Sequence, residues 1–137
     1  MTRQSCGYSE IEHTADWELK VWALDISGLL EQAARGMYAL MGARLEPEPR
    51  QYRNLELNAS DPESLLVAFL SELIYFCEQQ NLGFDKFDIT MNNLSLRAHL
   101  TGATLASIDK EIKAVTYHKL VVRETEQGYE VNVVFDV

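Results

Sequence analysis

Two stretches of this chain repeat their apolar residues every three or four positions, and most of the rest alternates every second position. A helix turns every 3.6 residues and a strand flips its side chains at each residue, so a chain with both periods must pack one-faced helices on one-faced sheet. The first helical stretch, Ser27 to Met41, sets Leu29, Leu30, Ala33, Ala34, Met37, Tyr38 and Met41 against Glu31, Gln32 and Arg35 on the other side. Ser27 is its expected N-cap and Gly42 its stop. The second opens at Ser60-Asp61-Pro62-Glu63, a capping-box pattern with proline in the first turn, and runs through Leu65, Leu66, Phe69, Leu70, Leu73, Ile74 and Cys77 to end near Gln80.

The period-two segments supply the sheet. Leu19, Val21 and Ala23 share a face in an early strand, Leu55 and Leu57 in the next, and Phe87, Ile89 and Met91 in a third. Asn92-Asn93 is expected to turn that strand into Leu94, Leu96, Ala98 and Leu100, because Asn tolerates positive φ. A last hairpin pairs Lys113 to Glu124 with Tyr129 to Val137 across Glu126-Gln127-Gly128; Val131, Val133 and Phe135 face one side, Asn132, Val134 and Asp136 the other. The order β-β-α-β-α-β-β-β-β predicts an α+β class: a small single-domain sandwich spanning 1–137, with two helices packed on a mainly antiparallel β-sheet.

Charge narrows the function. Twenty-one acidic residues against twelve basic ones leave a net charge of -9. A protein that grips phosphates sets Lys and Arg against them, so no direct nucleic acid binding is expected, while cations and basic protein partners suit this balance. No apolar run approaches the roughly 20 residues of a membrane helix, and the first ten residues lack a secretory core, so no membrane association and a cytoplasmic location are expected. Cys6 and Cys77 are too far apart for a zinc knuckle or a redox pair.

Three places break ordinary packing. Glu12-His13-Thr14-Ala15-Asp16 is a polar junction whose plain reading is a hydrogen-bonded turn. Phe135-Asp136-Val137 ends a strand, which sets the Asp136 carboxylate and the oxygens of Val137 side by side; its plain reading is a solvated tail. Lys113-Ala114-Val115-Thr116-Tyr117-His118 is a strand whose face carries Ala114, Thr116 and His118. A lysine at a strand start is usually solvent-facing, and a lone histidine is more often structural than a ligand. No P-loop, dinucleotide fingerprint, Cys/His zinc spacing or nucleophile elbow is present. Oxygen-rich positions without a nucleophile fit a hard cation better than catalysis.

Taken together, YSEIEHTAD (Tyr8 to Asp16), DPESLLVAFLSELIYF, EIKAVTYHKL and the terminal VVFDV resemble the archease family, in the same order along nearly the whole chain. The resemblance implies a small α+β sandwich with a divalent cation, calcium with magnesium or manganese as alternatives, held by Asp16, Asp136 and Val137. It implies a non-catalytic activator of an RtcB-type RNA ligase in tRNA splicing and RNA repair, which promotes the ligase's guanylylation and multiple turnover. Lys113 carries over as the partner-activation residue, and His13 and His118 as outer partners of the metal ligands. The alternative is a chaperone-like modulator of tRNA methyltransferases or other RNA-modifying enzymes. Two departures stand out. The stretch Leu105 to Lys110 is short and lacks the His-x-x-Gly of relatives, and Trp17 replaces an aliphatic residue, which reads as added core packing.

Overall fold

The computed structural model describes residues 4–11 and 17–137. In chain order it has β1 (Gly7–Ile11), β2 (Trp17–Ala23), α1 (Ile26–Met41), β3 (Arg44–Leu45), β4 (Gln51–Asn58), α2 (Pro62–Gln80), β5 (Leu82–Asn92), β6 (Ser95–Ser107), β7 (Ala114–Val115), β8 (Arg123–Thr125) and β9 (Gly128–Asp136). The class is the expected α+β sandwich, but the strands form two sheets. One runs β1-β2-β9-β7 with β8 also on β9; in the other, β6 pairs β3, β4 and β5. Every pairing is antiparallel. Each helix touches both sheets: α1 meets β1, β2 and β9 on one side and β5 on the other, while α2 meets β4, β5 and β7.

The predicted faces meet in one core. Leu19, Val21, Leu29, Met37, Phe69, Leu70, Leu73, Leu96, Val131, Val133 and Phe135 are all at most 1% exposed. Burying side chains of this size stabilises by about 1.5–3 kcal/mol each before the entropy of ordering them is counted. Gly102 shows how tightly β5 and β6 are drawn together. A β-bulge lies between Phe84 and Lys86, and a Cβ at Gly102 would strike the Gly83 carbonyl, which leaves room for hydrogen alone.

Three local expectations are corrected. The N-cap of α1 is Asp25, whose carboxylate accepts from Gly28 N at 2.7 Å and also receives the Ser27 hydroxyl at 3.2 Å; aspartate outcompetes serine because it accepts both. The stop at Gly42, with φ 62, is as expected. On α2 the cap is Asp61, not Ser60, and Glu63 reaches across the chain to accept from Val122 N at 3.3 Å in place of closing a local box. The β5–β6 turn residues are Asn93 and Leu94, because Asn92 still pairs with Ser95, and Asn93 takes φ 55.

The Asp61 cap yields an acid-limb prediction. The Ser64 backbone N–H, followed by the Ser64 hydroxyl, holds the carboxyl below its ordinary range. A depressed folded value means stability that is present above the unfolded pKa and lost as pH falls through the folded one. Asp61→Asn keeps an acceptor for Ser64 but cannot titrate. Its melting temperature is expected to lie below wild type at neutral pH, with the gap shrinking as pH drops from about 5 to about 2. A constant gap over that series would remove the linkage.

Candidate functional site

The site is built around the last turn of sheet pairing. Trp17, Phe135 and Val115 lie side by side across β2, β9 and β7, with Phe135 in the middle and fully buried. Because side chains alternate along β9, burying Phe135 and Val133 in the core turns Val134 and Asp136 to the opposite face. Asp136 is not a frayed end: its carbonyl accepts from Lys113 N at 2.8 Å, and Ala114 sits opposite it in register. Val137 is partly buried and packs on the core.

The long strand expected from Lys113 to Glu124 does not form. Only Ala114–Val115 and Arg123–Thr125 pair with β9, and the chain between them leaves the sheet. Thr116 marks the exit: its N–H and hydroxyl both donate to the Val134 carbonyl, at 3.0 Å each, and its hydroxyl oxygen accepts from His118 N at 3.3 Å. Lys119 takes φ 54, and Leu120 turns inward to a buried position. The local alternation looked like strand because it could not register that Leu120 and Val122 are needed elsewhere in the core.

This departure gathers Thr116, His118, Val134 and Asp136 around a depression of about 220 Å³. His118 is therefore placed beside Asp136, though both side chains are exposed. Farther along the same face Asn132 donates to Glu18 at 2.6 Å and accepts from Arg123 at 3.0 Å, a chain of contacts that ties β2, β8 and β9 together. Among the described residues the Asp136 carboxylate has no hydrogen-bond or ion-pair partner.

Lys113 lies elsewhere. Its backbone meets Asp136, but its side chain lines a second depression of about 220 Å³, with Ser71, Tyr75 and Glu78 of α2. Alternation contributes to this, since Ala114 shares a face with Asp136 and Lys113 precedes it, although Ala114 borders this depression as well. Nothing local in the sequence indicated these α2 neighbours, which lie some 35–42 positions earlier in the chain. His13 and Asp16 lie outside the described residues, and among the described ones no group of three His, Cys, Asp or Glu side chains is placed to hold a metal ion. What is described of the cluster suits a hard cation through the free Asp136 carboxylate and the lack of any thiolate, while the Val134 carbonyl and the Thr116 hydroxyl are already engaged with each other and with His118 N.

Trp17 is partly buried against the core, as expected of added packing, and Lys110 stands over its ring at 5.3 Å from the centroid. The stretch from Leu105 to Lys110 is only partly loop, since Leu105–Ser107 complete β6. The rest is moored to the end of α1, with Asp109 N and Lys110 N both donating to the Met41 carbonyl, at 2.8 and 3.1 Å. Arg44 pairs with Asp109 at 3.0 Å, and its hydrogen bond and charge hold that carboxyl below the usual range.

Fold and site together define a small α+β protein, with two helices and two sheets among the described residues and a depression bearing a free carboxylate at the end of its last strand. The pattern of the Archease protein family matches residues 8–137, and the chain belongs to that family. It is 31% identical to the archease of Methanosarcina mazei over 146 residues, all of both chains, and 31% identical to that of Saccharolobus solfataricus over 132 residues, 92% of this chain and 95% of the relative. The crystal structure of an archease from Thermotoga maritima, described as a possible chaperone, superposes with a TM-score of 0.71 at 25% identity, covering 93% of this chain and 94% of that one. The solution structure of Methanobacterium thermoautotrophicum protein 1598 shares the fold with a TM-score of 0.70 at 22% identity, covering 96% and 99%. Among the described residues no helix is long and apolar enough to cross a membrane.

Proposed function

We propose that this chain is a cytoplasmic, non-catalytic activator of an RtcB-type RNA ligase, promoting its guanylylation and multiple turnover in tRNA splicing and RNA repair. The observation that carries the reading is the placement of Asp136. In a chain that matches the archease family along nearly its full length, a free carboxylate is held by sheet pairing at the end of β9. Asp16, Asp136 and Val137 would hold a divalent cation, calcium or else magnesium or manganese, with His13 and His118 as outer partners. When bound, such an ion neutralises and orients phosphate oxygens, the charge that accumulates in nucleotidyl transfer. The chain's own part is to keep Asp136 in place through the Lys113 N–H and the β7 pairing, and to present Lys113 on the α2 side. A net charge of -9 directs the protein towards a protein partner and not towards RNA itself.

A ligation time course with ligase in deficit tests the reading. Added protein is expected to convert a single-turnover burst into sustained product formation; an unchanged burst would remove it. Lys113→Ala sharpens the test. The side chain is exposed and makes no ion pair among the described residues, so the variant is expected to keep its fold and its cation-induced rise in melting temperature. It is expected to lose at least tenfold in stimulating formation of the covalent ligase-GMP adduct. Wild-type stimulation across a concentration series would leave Lys113 a surface charge.

A second reading, a chaperone-like modulator of tRNA methyltransferases, draws on the description of the Thermotoga maritima relative as a possible chaperone. Parallel pull-downs with ligase and methyltransferase as baits separate the two.

A further inference from the structure

An apolar-walled cavity lies between the C-terminal ends of α1 and α2 and the stretch that leaves β6, and no step proposed above uses it. It measures about 310 Å³ and is walled by Met41, Ile74, Leu105 and Ile112, with Glu78 and Glu111 also on its lining. Both glutamates are exposed, and among the described residues neither is ion-paired to a cation. Cys77 also borders it, but burial pushes that thiol up to about 11, so it is a neutral, unreactive wall at physiological pH. Two exposed apolar side chains stand here as well, Ile108 at 39% on this cavity and Tyr75 at 53% on the neighbouring Lys113 depression. Ile74 and Glu78 line both hollows, so cavity and lysine form one continuous groove along α2. Large apolar side chains left in water beside a pre-formed pocket are features of binding surfaces.

On the reading that the partner is an RNA ligase, we infer that this groove is its docking site and that it takes a basic-apolar segment of the ligase. One apolar side chain of that segment fills the cavity while an adjacent Arg or Lys meets Glu78 and Glu111. Charge complementarity selects this occupant. Two carboxylates beside an apolar hollow repel an acidic segment and steer a cationic one towards it, and a protein that grips RNA carries basic surface to offer. The groove then supplies affinity, and Lys113 at its end is delivered to the partner by the same contact.

The test is the affinity of full-length protein for full-length ligase, measured by titration for wild type, for the E78K/E111K double variant and for Ile108→Ser. The three positions are exposed, and circular dichroism with melting curves verifies that each variant folds. The double variant is expected to raise Kd at least tenfold and to flatten its salt dependence, and Ile108→Ser to raise Kd severalfold with the salt dependence kept. Stimulation of adduct formation should recover at saturating concentration in Ile108→Ser, which lies away from the Lys113 depression and leaves Lys113 and Asp136 intact. Wild-type affinity in the folded variants would overturn the groove while leaving the functional reading standing. Self-association of wild type abolished by the same variants would assign the groove to a second copy of this chain and overturn the ligase. If wild type neither binds nor stimulates the ligase, the functional reading fails, and the proposed occupant with it.

Discussion

Asp136→Ala is expected to abolish the rise in melting temperature that a divalent cation gives the wild type. An ion that binds only the native state stabilises by mass action, about 2.7 kcal/mol when present at 100 times its Kd. Removing one of three proposed ligands from a hard-cation site removes a charged oxygen that the other residues lining the depression, Thr116, His118 and Val134, carry no side-chain carboxylate to replace. Without cation the variant should melt close to wild type, since the side chain is exposed and unpartnered among the described residues. Ligase stimulation should fall with the cation shift. Melting curves with Ca²⁺, Mg²⁺ and Mn²⁺, each against chelator, decide the matter, and an undiminished shift in the variant would take Asp136 out of the site.

Phe135→Ala is expected to be the most damaging single truncation near the site, costing about 3–5 kcal/mol. The ring is fully buried and stands between Trp17 and Val115 in the sheet, so its removal leaves a cavity bounded by backbone that β2, β9 and β7 hold apart. Collapse would require breaking the pairing that positions Asp136. The chemical-denaturation midpoint should therefore drop sharply with little change in slope. Exchange protection at Lys113 N and Thr116 N, which donate to the carbonyls on either side of Phe135, should fall more than that of α1. A loss under 1 kcal/mol would show that the end of the sheet tolerates repacking and that β9 is held mainly from its other end.

These expectations could be framed because much of the chain was legible from its pattern. Both helices, their apolar faces, the Gly42 stop and the alternation of Val131, Val133 and Phe135 against Asn132, Val134 and Asp136 are set by periodicity and backbone preference, which act over a few residues. Family membership follows from motifs in fixed order, and those motifs single out Asp136 and Lys113. The details that went astray did so where two local options were nearly equal. Asp25 took the cap of α1 from Ser27, and Asn93 with Leu94 took the turn from Asn92 with Asn93.

What the sequence by itself determined is therefore the set of one-faced elements and the residues with chemistry to offer. Only the tertiary structure decided how those elements divide into two sheets with both helices bridging them, since period-two alternation says which face is buried but not which strand is the neighbour. It also decided that Glu63 would serve Val122 in place of its own helix, and that the chain after Val115 would leave the sheet so that Leu120 could enter the core. The separation of Asp136 from the Lys113 side chain follows from the same cause. Their proximity comes from strand pairing, while their opposite facing comes from the pleat, and the two combine only once β7 is registered on β9.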